Sequence, residues 1–216
     1  MRDFPTIVFD LDGTLIHSAP DLHAAANVAL AHLDRPALDL PEVTSFIGNG
    51  VETLVRRCLE VTGSSEPDLL ARALAVYLDS YAANMTRLTR PYPGVVECLS
   101  ALRDRGARLA VCTNKPDAPA RAICDALGLS RYFDVIAGAT PGVPKKPDAQ
   151  PLLDTITRLG GTPETSLYVG DSGVDIRCAE NAGVGFLLFG GGYLNAPPDG
   201  IAGLARFDDW ATSGLV

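Results

Sequence analysis

The stretch Thr6-Ile7-Val8-Phe9-Asp10-Leu11-Asp12-Gly13-Thr14 is a short apolar run that closes on two acids and a glycine. An uninterrupted apolar run of this length, ending in a polar turn, predicts a strand buried on both faces. Similar runs recur at 108–113, 135–138, 167–171 and 184–189. Between them the apolar residues fall at helical spacing. One set is Val95, Leu99 and Leu102, closing on Gly106; another is Leu152, Ile156 and Leu159, closing on Gly160. Glycine at those ends is the residue a helix C-cap favours, because it alone enters the left-handed region without strain. Strands alternating with helices predict right-handed crossovers and an α/β fold: a Rossmann-like parallel sheet with helices on both faces.

Residues 16–90 break that rhythm. They carry no convincing strand pattern and three amphipathic helical ones. The clearest are Val51, Leu54, Val55, Cys58, Leu59 and Leu70, Leu74, Tyr77, Leu78, Tyr81. The expected organisation is a core made of 1–15 and 91–216 with a small all-helical domain, 16–90, inserted after the first strand. Arg90-Pro91-Tyr92-Pro93-Gly94 would be the return hinge, and Pro197-Pro198 with Gly200 a loop before a last short segment at 207–210.

Composition narrows the function. Apolar residues make up 47% and charged residues 20%, as in a globular chain. No apolar run reaches the roughly 20 residues of a membrane helix. The N-terminus lacks the pattern of a secretory leader, so a cytoplasmic location is expected. Net charge of −8 argues against nucleic acid or an anionic membrane as partner. An anionic substrate would then need local cations or a metal. Five cysteines without a C-x-x-C pair read as reduced structural thiols.

In an open parallel sheet, ligands bind beyond the carboxyl ends of the strands. Three such ends are polar here: Asp10 and Asp12, then Thr113-Asn114-Lys115, then Asp171 and Asp175, with Lys146 in the loop before the last. Four acids at one sheet edge repel unless a cation lies among them, and a hard divalent ion such as Mg2+ is the simplest solution.

Taken together, Asp10-Leu11-Asp12-Gly13-Thr14, Thr113-Asn114, Lys146-Pro147 and Gly170-Asp171-Ser172-x-x-Asp175 resemble the four motifs of the haloacid dehalogenase superfamily. The helical insert resembles that superfamily's cap. The resemblance implies a magnesium-dependent phosphatase in which the Asp10 carboxylate, ionised at neutral pH, attacks phosphorus and forms an aspartyl-phosphate. Asp12 would be general acid for the leaving alcohol and then base for water. The metal would sit on Asp10, the Asp12 carbonyl and Asp171, with Asp175 in support. Thr113 and the Asn114 amide would bind phosphoryl oxygens, and Lys146 would add a positive charge.

The run Gly48-Asn49-Gly50 through Leu54-Val55-Arg56-Arg57-x-Leu59, with Asp12 through Leu22, Lys145-Lys146-Pro147 and Gly192-Tyr193, is similar to bacterial phosphoglycolate phosphatases. It departs from them at Asp148-Ala149-Gln150. That resemblance implies 2-phosphoglycolate as substrate, with Gly48, Asn49, Gly50 and Arg56 or Arg57 meeting its carboxylate when the cap closes. The expected partner is a small anionic phosphate ester, and the chain a monomer or homodimer. Rival expectations are another small phosphorylated metabolite or sugar, a phosphomutase, a dehalogenase, or a phospho-accepting signalling domain. Lys145 reads as a solvated charge, and His17, His23 and His32 as no metal set. Gly190-Gly191-Gly192-Tyr193 fits either a connector or a backbone nest.

Overall fold

The computed structural model describes residues 4–195 and 204–216, so the expected Pro197-Pro198 loop lies outside the described residues. Six strands form one all-parallel sheet. They are β1 (Thr6–Phe9), β4 (Arg108–Pro116), β5 (Val135–Ala139), β6 (Ser166–Gly170), β7 (Gly185–Phe189) and β8 (Arg206–Phe207), in the order β5-β4-β1-β6-β7-β8. Chain order runs one way from β1 through β4 to β5, then the other way from β6 to β8. The switch point therefore falls at the end of β1, where a ligand crevice forms in such sheets. Phe9 is level with Val111 and Val169, which lines up the three polar strand ends.

Alternation along the central strands sorts the core into two layers. Ile7, Phe9, Leu109, Val111, Leu167 and Val169 face one way, toward α5 (Val95–Asp104), α6 (Asp117–Ala126) and Trp210. Val8, Ala110, Cys112 and Tyr168 face the other, toward α7 (Gln150–Arg158) and α8 (Gly173–Ala182). Both faces are covered, as the uninterrupted apolar strands require.

Four helices stand where three patterns were expected: α1 (Ala19–His32), α2 (Leu40–Ser45), α3 (Val51–Val61) and α4 (Pro67–Asn84). Six-residue α2 is too short to give a periodic signal. Within α4, Tyr77 and Tyr81 are buried, whereas Leu78, expected in the apolar stripe, is 45% exposed. The absence of strands in this interval is also corrected. Ile16–His17 (β2) pairs antiparallel with Arg90–Pro91 (β3), a two-stranded ribbon through which the chain leaves and returns. Buried Asp21 pins the return, its Oδ2 accepting from the amides of Leu88 at 2.9 Å and Thr89 at 2.7 Å.

Candidate active site

Asp10 follows β1 directly, its amide donating to the Val169 carbonyl at 2.9 Å, so its carboxylate stands at the switch point. It is 5% exposed. Lys146 Nζ lies 2.9 Å from Asp10 Oδ1, but the angle makes this an ion contact, and that oxygen has no hydrogen-bond donor. Burial pushes the Asp10 carboxyl up to about 6, against the pull of the Lys146 charge.

Asp175 is the opposite case. Its Oδ1 accepts from Lys146 Nζ at 2.7 Å and Tyr168 Oη at 2.8 Å; its Oδ2 accepts from the Ser172 amide at 3.1 Å and Oγ at 2.6 Å. Four donors fill the four lone-pair directions of a carboxylate. Burial alone would raise this acid, but Lys146 and those hydrogen bonds outweigh it and hold it below the usual carboxylate range. Asp175 also closes a capping box with Ser172 at the start of α8. It thus holds Lys146 in place beside the other two acids. Burial would strip Lys146 of its proton, yet the charges of Asp10 and Asp175 keep it firmly protonated.

Asp171 ends β6 and is 1% exposed. Thr14 Oγ1 donates to its Oδ1 at 2.7 Å, and the Tyr193 amide to its Oδ2 at 2.8 Å. This settles what Gly190–Tyr193 does locally. A side chain on Gly192 would collide with the Gly13 carbonyl and the Asp171 Cβ, and Gly13 itself sits at φ +86° against the same carboxylate. The two glycines let two loops close over Asp171, and the Tyr193 hydroxyl accepts from the Ser18 and Ala19 amides at 2.9 Å each, at the start of α1. Burial first, then the charges of Asp175 and Asp10, raises the Asp171 carboxyl well above its ordinary value.

Oxygens of Asp10, Asp171 and Asp175 all lie within 4.8 Å of one another, with the Lys146 ammonium in contact with two of the three acids. Three carboxylates against one ammonium leave two negative charges buried together. The undonated oxygen of Asp10 and the strained Asp171 acid fit a hard divalent ion, which takes carboxylate oxygens and relieves that repulsion. The Asp12 carboxylate points elsewhere. Ser18 Oγ donates to its Oδ1 at 2.5 Å, and Lys115 Nζ lies 3.1 Å from both of its oxygens.

The polar triplet expected beyond the second core strand belongs to β4 itself. Register slips between Cys112 and Pro116, where four residues of β4 span two of β5, and the slip re-aims Thr113, Asn114 and Lys115. Thr113 is buried, its Oγ1 accepting from the Lys115 amide at 3.2 Å. The Asn114 side chain is committed within the protein: Nδ2 donates to the carbonyls of Gly48 at 3.0 Å and Lys146 at 2.9 Å, and Oδ1 accepts from the Lys146 amide at 2.9 Å. It ties together a cap loop, β4 and the lysine loop.

A cavity of about 40 Å³ is lined by Asp10, Asp12, Thr113, Asn114 and Lys115 from the sheet edge and by Ile47, Gly48, Gly50, Val51 and Leu54 from the helical layer. Asn49 does not line it. Neither does Arg56 or Arg57: half-exposed Arg56 pairs with Glu52 one turn back on α3, so the expected arginine contact with substrate has no geometric support. Burial lowers the His17 imidazole, which packs between Tyr92 and Tyr193. Exposed Lys145 leans toward Gly50, its ammonium 3.6 Å from where a Cβ on that residue would lie. Sequence reasoning placed Lys115 at the polar strand end with Thr113 and Asn114 but gave it no role.

The haloacid dehalogenase-like hydrolase family matches residues 7–189. The phosphoglycolate phosphatase of Cereibacter sphaeroides is 46% identical over 195 residues, covering 89% of this chain and 88% of that protein. The structure of a protein from Haemophilus somnus, described as a predicted phosphoglycolate phosphatase, superposes with a TM-score of 0.91 at 33% identity, covering 98% and 96% of the two chains. CbbY of Rhodobacter sphaeroides, solved with phosphate, gives a TM-score of 0.82 at 26% identity, covering 98% and 96%. On its four motifs, its doubly wound sheet and these likenesses, the chain belongs to the haloacid dehalogenase-like hydrolase family and stands with that family's phosphatases.

Proposed function

We propose that this phosphatase hydrolyses 2-phosphoglycolate to glycolate and phosphate through an aspartyl-phosphate on Asp10. The observation that carries the reading is the state of that carboxylate. It is buried at the switch point, it touches Lys146, and one of its oxygens has no hydrogen-bond donor. Asp10 attacks phosphorus while the bond to the alcohol oxygen breaks. Asp12, across the same cavity, gives its proton to that oxygen. Water then attacks the phosphoaspartate and loses a proton to Asp12, which releases phosphate and restores the Asp10 carboxylate and the protonated Asp12. Asp10 and Asp171, with the Asp12 carbonyl, would hold Mg2+, and Asp175 would support Lys146 behind them. The ion, when bound, supplies neutralisation of phosphoryl charge. Lys146 adds a fixed cation beside the attacked group, and Thr113 a hydroxyl.

The helical layer, 16–90, is read as a cap that swings on the β2–β3 ribbon and excludes water during the reaction. The name carried by the curated relatives supports this substrate. A panel of small phosphate esters with magnesium, ranked by kcat/KM and including sugar phosphates, tests this. The highest efficiency is expected on 2-phosphoglycolate, and a preference for a sugar phosphate would displace it.

A further inference from the structure

One buried cation in the cavity has no part in the chemistry above. Lys115 is 6% exposed and lies on the re-aimed tail of β4. An ammonium has three N–H donors, and the three neighbours of this one account for them. Two are the oxygens of Asp12, each at 3.1 Å, and the third is the Tyr81 hydroxyl of α4 at 2.7 Å. The ammonium also stands 4.8 Å from the centre of the Tyr81 ring, close enough for a cation–π contact. None of its donors is left for substrate.

The other end of the chain of contacts is equally fixed. Tyr81 is 4% exposed and stacks on buried Tyr77, ring centres 5.8 Å apart and 21° from parallel. Its hydroxyl therefore moves only as α4 moves. Asp12 is gripped from the other side by Ser18 Oγ at the entrance to α1. The two hands on the Asp12 carboxylate thus answer to the same helical layer, one directly and one through Lys115.

We infer that Lys115 is a positioning residue that couples the seating of the helical layer to the aim of Asp12. With α4 seated, Tyr81 holds the ammonium and the ammonium holds the carboxylate at the mouth of the cavity. With α4 withdrawn, the lysine loses its third partner and Asp12 is free to turn. The acid would then be aligned only when water is shut out, which protects the phosphoaspartate from an unaligned encounter. This deepens the proposed function and rests on Asp12 protonating the leaving alcohol.

Leaving-group chemistry separates this role from a structural one. An alkoxide leaving from 2-phosphoglycolate needs the Asp12 proton, whereas p-nitrophenolate leaves without one. Lys115→Met, Tyr81→Phe and Asp12→Asn are compared with wild type, with magnesium, by steady-state turnover of 2-phosphoglycolate and by the burst of p-nitrophenolate from p-nitrophenyl phosphate. Lys115→Met should lower kcat on 2-phosphoglycolate by about 100-fold, the scale of a misplaced acid, with KM and the burst rate each within about threefold of wild type. Tyr81→Phe keeps the ring but not the acceptor and should shift kcat the same way by about 10-fold. A rise in KM alone would make Lys115 a substrate ligand and overturn the inference. Equal losses on both esters, or none, would overturn it too. Should Lys115→Met fail to fold by circular dichroism, Tyr81→Phe decides by the same criteria. An Asp12→Asn enzyme that discriminates between the esters beside an indifferent lysine variant overturns this inference alone. An Asp12→Asn enzyme that treats both esters alike overturns the proposed function with it.

Discussion

Lys146 Nζ stands 2.9 Å from Asp10 Oδ1 without hydrogen-bonding it, held there by Asp175 at 2.7 Å. The contact favours the ionised acid yet leaves its lone pair undonated, which is what a nucleophilic carboxylate requires. Asp175 and Tyr168 take two of the lysine's three donors, which fixes the ammonium beside Asp10. Lys146→Met should therefore cut turnover by about 100-fold or more, since a pre-set cation at the reacting group is worth several kcal/mol. Phosphate release from 2-phosphoglycolate, measured beside retained circular dichroism, checks it.

Magnesium should raise the melting temperature, because the ion binds only the assembled acid cluster. Chelation should abolish activity reversibly, and calcium should restore it poorly, preferring more ligands and looser geometry. Asp171→Asn should lose the magnesium-dependent rise while still folding, since the Tyr193 amide can donate to the new side-chain oxygen and the Thr14 hydroxyl can turn to accept from its NH2. Differential scanning fluorimetry with and without the ion reads both effects.

Gly192→Ala should be more damaging than its size implies. The added methyl would meet the Gly13 carbonyl and Asp171, neither of which can give way. Overpacking of this kind costs about 1–3 kcal/mol, and urea unfolding should show it. Activity should fall as well, because the strain lands on Asp171. An alanine at Gly128, with nothing within 4 Å of its Cβ position, is the spatial control, though φ there is +68°.

Arg56→Ala should change efficiency on 2-phosphoglycolate by less than about threefold, because an exposed pair with Glu52 on one helix is worth at most about 1 kcal/mol. A larger loss confined to 2-phosphoglycolate, with p-nitrophenyl phosphate unaffected, would bring this arginine to the substrate in a conformation more closed than the one seen.

All five cysteines are free and buried. Burial, first among the causes, pushes the thiols of Cys58, Cys124 and Cys178 up to about 12 and that of Cys112 up to about 11. Because the thiolate is the reactive form, a raised pKa means slower modification at any given pH below it. At pH 8 a disulfide reagent should modify the native protein slowly, and all five thiols quickly in denaturant.

The two acidic motifs were legible because each lies where an apolar strand stops, and an acid straight after Phe9 or Gly170 cannot be confused with core. The sheet followed from the same runs, since strands covered on both faces need no alternation to be read. Paired segments of two residues, Ile16–His17 with Arg90–Pro91, leave no period at all, so the ribbon was illegible. The arginines on α3 lie off its apolar stripe, and a position off the stripe is equally compatible with solvent or with a neighbouring domain. Tyr81 read as core and is core, but its hydroxyl serves Lys115, a partner 34 positions away along the chain. Only the folded chain brings those two atoms together.

The central claim is that Asp10 makes the bond to phosphorus. The most direct measurement is phosphate release from 2-phosphoglycolate by Asp10→Asn beside wild type, with magnesium, in preparations of matched circular dichroism. An amide cannot take the phosphoryl group, so activity should fall by about 10³-fold or more, as when a nucleophile is removed from an enzyme that depends on it. Release within about tenfold of wild type, too small a loss for a missing nucleophile, would contradict the account.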